Sequence, residues 1–174
     1  MNQTKPNKEI YTISVLTTNK PGVLVRISLI FASRTYNIHS LVVSPVLDGR
    51  FSRMTIVAEG HPENLDQVIK HLNKLVDIID THQPKKSDSI EVELALFKLK
   101  YNPEKHPSLL QIIQHFKGKL LDLTDDSIVI QVSGKSSKID ACEKMLQPYD
   151  LIEVVRTGKV LMSRKTQNLT ALSS

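Results

Sequence analysis

The sequence predicts an α+β fold in which one β-α-β-β-α-β unit is written twice. Three observations carry this. β-rich runs alternate with apolar stripes of helical period in that order. A polar, lysine-bearing stretch, "QPKKSDS" at 83–89, interrupts the pattern, and the same order then returns. The 174 residues suffice for two small domains.

In the first copy, "EIYTISVLT" from Glu9 is a strand, and Val23, Leu24, Ile27, Ile30 and Phe31 recur at helical spacing. "NIHSLVVSPV" and "FSRMTIVAE" are the next two strands. Leu41 and Val43 share one face of the first, and Met54, Ile56 and Ala58 share one face of the second. Asp48-Gly49 between them is a hairpin signal, because glycine tolerates the positive φ such turns need. Leu65, Val68, Ile69 and Leu72 mark a second helix, and "LVDIIDTH" a closing strand.

The second copy opens on "IEVELALFKLKY". Leu109, Ile112, Ile113 and Phe116 form a helical face after Pro107, a good first-turn residue. "KLLDLT" and "SIVIQVSG" flank a turn at Asp125-Asp126. Ile139, Cys142, Met145 and Leu146 mark the last helix, and "LIEVVRTGKV" the last strand. Two such units are ferredoxin-like, each a four-stranded antiparallel sheet with two helices on one face. The expected division is an N-terminal extension over 1–8, a first domain over 9–82, a linker over 83–89, a second domain over 90–163 and a tail over 164–174. Each domain has about 75 residues, so its core is thin and its bare sheet face invites a partner.

Composition narrows the function. Hydrophobic residues make up 40% and charged residues 24%, the balance of a soluble globular chain. No apolar run approaches the roughly 20 residues that span a bilayer. The polar start, "MNQTKPNKEI", lacks a hydrophobic signal core, and one cysteine builds no disulfide framework, so a cytoplasmic location is expected. The net charge of +5 raises nucleic-acid binding, but the charges are interleaved. Residues 1–83 hold 9 basic against 7 acidic side chains and residues 84–160 hold 12 against 11, with only Arg164 and Lys165 beyond. There is no basic stripe and no Trp to stack bases, so nucleic acid is not the expected partner.

Catalytic motifs are missing. His39, His61, His71, His82, His106 and His115 are scattered without metal-ligand spacing. Cys142 sits on an apolar helical face as a small hydrophobe. No phosphate-cradling glycine loop and no G-x-S-x-G elbow occurs.

The stretch with chemical promise is "TNKPGVL", Thr18 to Leu24, between the first strand and the first helix. It reads as a turn in which Asn19 or Lys20 caps the helix, Pro21 presets φ and Gly22 gives clearance. It also reads as a ligand seat. A helix N-terminus offers free N–H groups and partial positive charge to a carboxylate. Gly22 lets a ligand approach, and the Asn19 amide both donates and accepts. Both readings stand on the residues alone.

"N-x-x-G-V-L" in this loop, "FASRTYNIHSLVV" at 31–43, "SRMTIV" at 52–57, "LNKLVDIID" at 72–80 and "LIEVVRTGKVLMSR" at 151–164 resemble the small, regulatory subunit of acetolactate synthase (acetohydroxyacid synthase). The first domain resembles its ACT domain. The resemblance implies a homodimer paired through the ACT domains, with no active site of its own. Thiamine diphosphate, Mg and FAD are then expected only in the separate large catalytic subunit. The small subunit would raise that partner's activity and confer feedback inhibition by valine in branched-chain amino acid biosynthesis. The effector site implied at the dimer interface is Asn19, Lys20, Pro21, Gly22, Val23 and Leu24, with Asn37 and Ile38 contributed from across it.

The chain departs from the family at Lys20 and Pro21, where an acidic or small residue is common. Thr35 stands where a glycine usually precedes the Tyr-Asn pair. A free-standing ACT amino-acid sensor that controls transcription or another enzyme is the alternative. Recovery of a large thiamine-diphosphate enzyme in a pulldown separates the two.

Overall fold

The structure, a computed structural model, describes residues 8–46 and 49–164. Asp48 of the expected hairpin turn, the first seven residues of the N-terminal extension and the tail beyond Arg164 lie outside these described residues. Among them the chain divides into two compact units, one running to Ile90 and resuming at Leu161, the other Glu91–Val160. No helix is long and apolar enough to cross a membrane, among the described residues.

The first unit follows the predicted order. β1 (Glu9–Thr18) leads to α1 (Val23–Ser33), β2 (Asn37–Val46), β3 (Phe51–Gly60), α2 (Pro62–Leu72) and β4 (Ile78–His82). The sheet order is β2-β3-β1-β4, antiparallel throughout. β1 and β3 send Ile13, Val15, Met54, Ile56 and Ala58 to the helix side, where they meet Val23, Ile27 and Phe31 of α1 and Leu65, Val68 and Leu72 of α2. The spacing i, i+4, i+8 places the three α1 residues on one face. Burying each large apolar side chain contributes about 1.5–3 kcal/mol, which offsets the ordering of so small a domain.

The expectation of a bare outer face fails at the middle of this sheet. Ser14, Leu16, Thr55 and Val57, on the face away from α1 and α2, are also buried. The run "LVDIIDTH" also departs from expectation, because its first three residues turn instead of extending. The Leu75 N–H bonds the Leu72 carbonyl and the Ile78 N–H the Leu75 carbonyl, so β4 begins at Ile78.

The second unit holds β5 (Ser89–Lys100) from Glu91 onward, α3 (His106–His115), β6 (Lys119–Leu123), β7 (Ser127–Gly134), α4 (Ser136–Leu146) and β8 (Leu151–Arg156), and β9 (Val160–Ser163) belongs to the first unit from Leu161 onward. The sheet order is β6-β7-β5-β8, and β9 pairs with β5. Ala95, Phe97 and Leu99 pack with Ile128, Ile130 and Val132 against Leu109, Ile113, Ile139, Cys142 and Leu146. The expected final strand is broken in two at Gly158, whose φ of 77° ends the ladder after Arg156. Beside this core, burial raises the Glu93 carboxyl, but hydrogen bonds from Arg156 and Ser136 outweigh it and hold the group below its usual value.

Candidate functional site

The loop between β1 and α1 is pinned by its backbone and by one amide. The Thr18 N–H donates to the Asp77 carbonyl at 2.8 Å, and the Asn19 N–H to the Arg50 carbonyl at 2.8 Å. Asn19 Nδ2 donates to the Gly49 carbonyl, also at 2.8 Å. The Asn19 side chain is therefore spent on the β2–β3 turn, thirty residues away in sequence. It does not cap α1, and neither does Lys20.

The cap position belongs to Gly22, at φ 83° and ψ −11°, and no side chain hydrogen-bonds to this end of the helix. The first helical bond runs from the Arg26 N–H to the Gly22 carbonyl at 3.2 Å. The N–H groups of Val23, Leu24 and Val25 precede it and have no acceptor within the helix. No acidic side chain stands in the first turn to compete for them. Nothing lies within 4 Å of where a Gly22 Cβ would be, so the approach is open. This end of α1 can take a carboxylate on bare N–H groups with the helix dipole behind them.

The side chains sort differently from the simplest reading. Val23 is buried at 2% exposure in the domain core, so only its N–H faces the seat. Leu24 remains exposed and apolar, and Lys20 and Pro21 are exposed. Asn37, also exposed, opens β2 opposite Glu59. Ile38 lies opposite Ala58 and packs half-buried against the core. The register then shifts between Ile38 and Ser40, and His39 Nε2 lies 2.9 Å from Glu59 Oε2.

One chain does not bring these two groups together. Asn37 starts β2, whereas Asn19 is tied to the turn beyond the other end of that strand. Nine steps at about 3.3 Å per residue separate the ends of β2 by about 30 Å. β2 is an edge strand, with β3 as its partner among the described residues, and Pro45 near its end is typical of an edge. Val25 and Leu29, one helical turn apart on α1, are each 62% exposed, an apolar pair facing away from the core.

Thr35 keeps the geometry that glycine would give. It adopts φ 59°, and the Tyr36 N–H closes the end of α1 on the Phe31 carbonyl at 3.0 Å. Asn37 is thus launched into β2 from an ordinary left-handed helix stop, with threonine bearing the strain.

Other candidate chemistry is absent from the loop. Cys142 is fully buried and burial pushes its thiol up to about 11, so it is not a thiolate near neutrality. No group of three or more His, Cys, Asp or Glu side chains that could hold a metal ion occurs among the described residues. A cavity of about 490 Å³ in the first unit lies against Ser14, Arg53 and His82, and no residue of the seat lines it. Sequence reasoning missed Gly49, Arg50 and Asp77 as anchors of the loop. Gly49 and Arg50 act through backbone carbonyls and Asp77 through its carbonyl and its carboxylate, long-range contacts that no local pattern marks.

Two family models match the chain. One, described as the small subunit of acetolactate synthase, matches residues 92–165, and the other, an AHAS small subunit-like ACT domain, matches residues 13–80. A probable acetolactate synthase small subunit of Archaeoglobus fulgidus is 40% identical over 88% of this chain and 96% of its own. The acetolactate synthase small subunit of Bacillus subtilis is 37% identical over 92% of each. Among solved structures, the acetolactate synthase small subunit of Thermotoga maritima superposes with a TM-score of 0.79 at 30% identity, covering 91% of this chain and 99% of that one.

Proposed function

Since the chain belongs to the acetolactate synthase small-subunit family, we propose that it is the non-catalytic regulatory partner of a large thiamine-diphosphate enzyme. It raises that enzyme's activity and makes it sensitive to valine, a product of the pathway. One valine binds at each of two equivalent sites shared by two copies of this chain.

The observation that carries this is the uncapped start of α1, with its free N–H groups, open space over Gly22 and exposed Leu24. The valine carboxylate meets the Val23–Val25 N–H groups, and its side chain rests on Leu24. The layout of β2 supports a shared site. Antiparallel pairing of β2 with the β2 of a second copy sets the start of one strand beside the end of the other. That pairing carries Asn37 across the roughly 30 Å that separate it from Asn19 within a chain. Asn37 then receives the ammonium group, and the apolar pair on α1 is drawn toward the same junction.

Affinity for so small a ligand is expected between about 10 μM and 1 mM. The deciding experiment is reconstitution with the large subunit, followed by titration with valine, leucine and isoleucine, alongside calorimetry on the isolated chain. A rise in activity on mixing and a fall on adding valine support the reading. A folded, dimeric chain that gives no heat with any of the three amino acids removes it.

A further inference from the structure

Asp77, the residue just before β4, holds both ends of the loop that forms the seat. Its backbone carbonyl accepts the Thr18 N–H at 2.8 Å and the Thr17 hydroxyl at 2.8 Å. Its Oδ1 accepts the Thr18 hydroxyl at 3.1 Å, and its Oδ2 pairs with Arg26 Nη2 at 2.5 Å. Thr18 is the last residue of β1, and Arg26 closes the first helical bond of α1 on Gly22. One carboxylate thus spans the four residues from Asn19 to Gly22. The Asp77 side chain is 17% exposed and that of Arg26 48% exposed.

We propose that the Asp77–Arg26 pair is a positioning clamp that sets the affinity of the seat for an amino-acid carboxylate. The inference rests on the reading of this loop as an effector seat and adds the residues that tune it. Neither side chain touches the ligand. The bare N–H groups of Val23 to Val25 bind an anion well only if the strand end and the helix start keep a fixed spacing. A loop held in its bound geometry spends less of its binding free energy on ordering. A half-exposed ion pair adds little to global stability, so the effect of the clamp is read in binding more than in folding. Asp77 and Arg26 also cancel in charge, and removing both alters the clamp without altering the net charge of the chain.

Full-length chains are compared by valine calorimetry and thermal denaturation. The double variant Arg26→Ala/Asp77→Ala is expected to bind valine about tenfold more weakly, on the usual scale of coupling between groups, with a thermal midpoint close to the unmodified chain. Arg26→Lys restores an ion pair and is expected to stay within about twofold. Thr18→Val removes one hydrogen bond and keeps the test available if the double variant unfolds; it is expected to weaken valine several-fold. A double variant that binds valine as tightly as the unmodified chain overturns the clamp, and so does Arg26→Lys falling to the level of the double variant. If the unmodified chain, folded, gives no heat with valine, leucine or isoleucine, the seat itself is gone and the clamp with it.

Discussion

The ring of Tyr36 occupies the space that a side chain on residue 60 would need. A Cβ built on Gly60, the last residue of β3, falls 2.4 Å from Tyr36 Cε1. The ring is held by contacts with Tyr11 and Phe31, each at 6.3 Å between centroids, and by its hydroxyl, which donates to the His61 carbonyl. Tyr36 cannot retreat without opening the core between β1, α1 and α2. Gly60→Ala is therefore expected to destabilise the chain by about 1–3 kcal/mol, the cost of overpacking a filled site. Chemical denaturation measures it, and an unchanged midpoint contradicts the packing argument.

Thr35, one residue earlier, gives the opposite expectation. Its left-handed backbone strains a β-branched residue by about 1–2 kcal/mol. Glycine removes that strain but adds unfolded-state entropy, so Thr35→Gly should gain about 0.5–1 kcal/mol. The thermal midpoint should rise by about 2 °C. A lower midpoint would show that the Thr35 hydroxyl, which donates to the Arg34 carbonyl at 2.7 Å, matters more than the strain.

In the second unit, Arg156 grips Glu93 with Nε to Oε1 at 2.7 Å and Nη2 to Oε2 at 3.2 Å, and reaches Asp140 at 2.7 Å. Glu93→Gln should cost about 2 kcal/mol. That is less than a fully buried pair, because Arg156 keeps Asp140 and is about a third exposed. The folded-state carboxyl lies below its value of 4.5 in the unfolded chain. Its contribution to stability is complete above that value and is lost as pH falls through the lower, folded one. Unmodified chain should therefore lose stability between pH 5 and pH 3 more steeply than the Gln variant. Equal slopes in denaturation series at both pH values would count against this.

At the seat, Gly22 has open space above it and a φ that disfavours any side chain. Gly22→Asp should cost the fold about 1 kcal/mol while placing a carboxylate where the ligand's own must lie. Calorimetric heat with valine should vanish, and the remaining activity of the reconstituted enzyme should no longer respond to it. Full valine sensitivity in that variant places the site elsewhere.

The element order was legible because most segments follow one period, as in Tyr11, Ile13 and Val15 on one face of β1. The special backbone position before α1 was legible at Gly22, whose positive φ few other residues accept. The wiring around it was not. Asn19 reads as a cap by local rules, but its amide is claimed by Gly49, a contact created only when the sheet forms. Val23 reads both as a member of the apolar stripe and as part of the effector site, and with α1 docked its side chain lies in the core. Asp77 sits inside a run that reads as strand, and only the turn before β4 shows that it faces Thr18 and Arg26. Long-range contacts of this kind belong to the fold, and no local pattern announces them.

The length of β2 bears on inheritance. If two copies pair through β2 as proposed, Asn19 and Asn37, about 30 Å apart in a chain, serve one seat from different copies, and a defect's effect then depends on which copy carries it. One copy altered at Asn19 and another altered at Asn37 together assemble one intact seat and one doubly damaged seat, so two insensitive alleles complement each other in part. A copy altered at both positions spoils both seats of any pair it joins. Two changes carried together are then dominant over the normal gene product, while the same two changes carried apart are not.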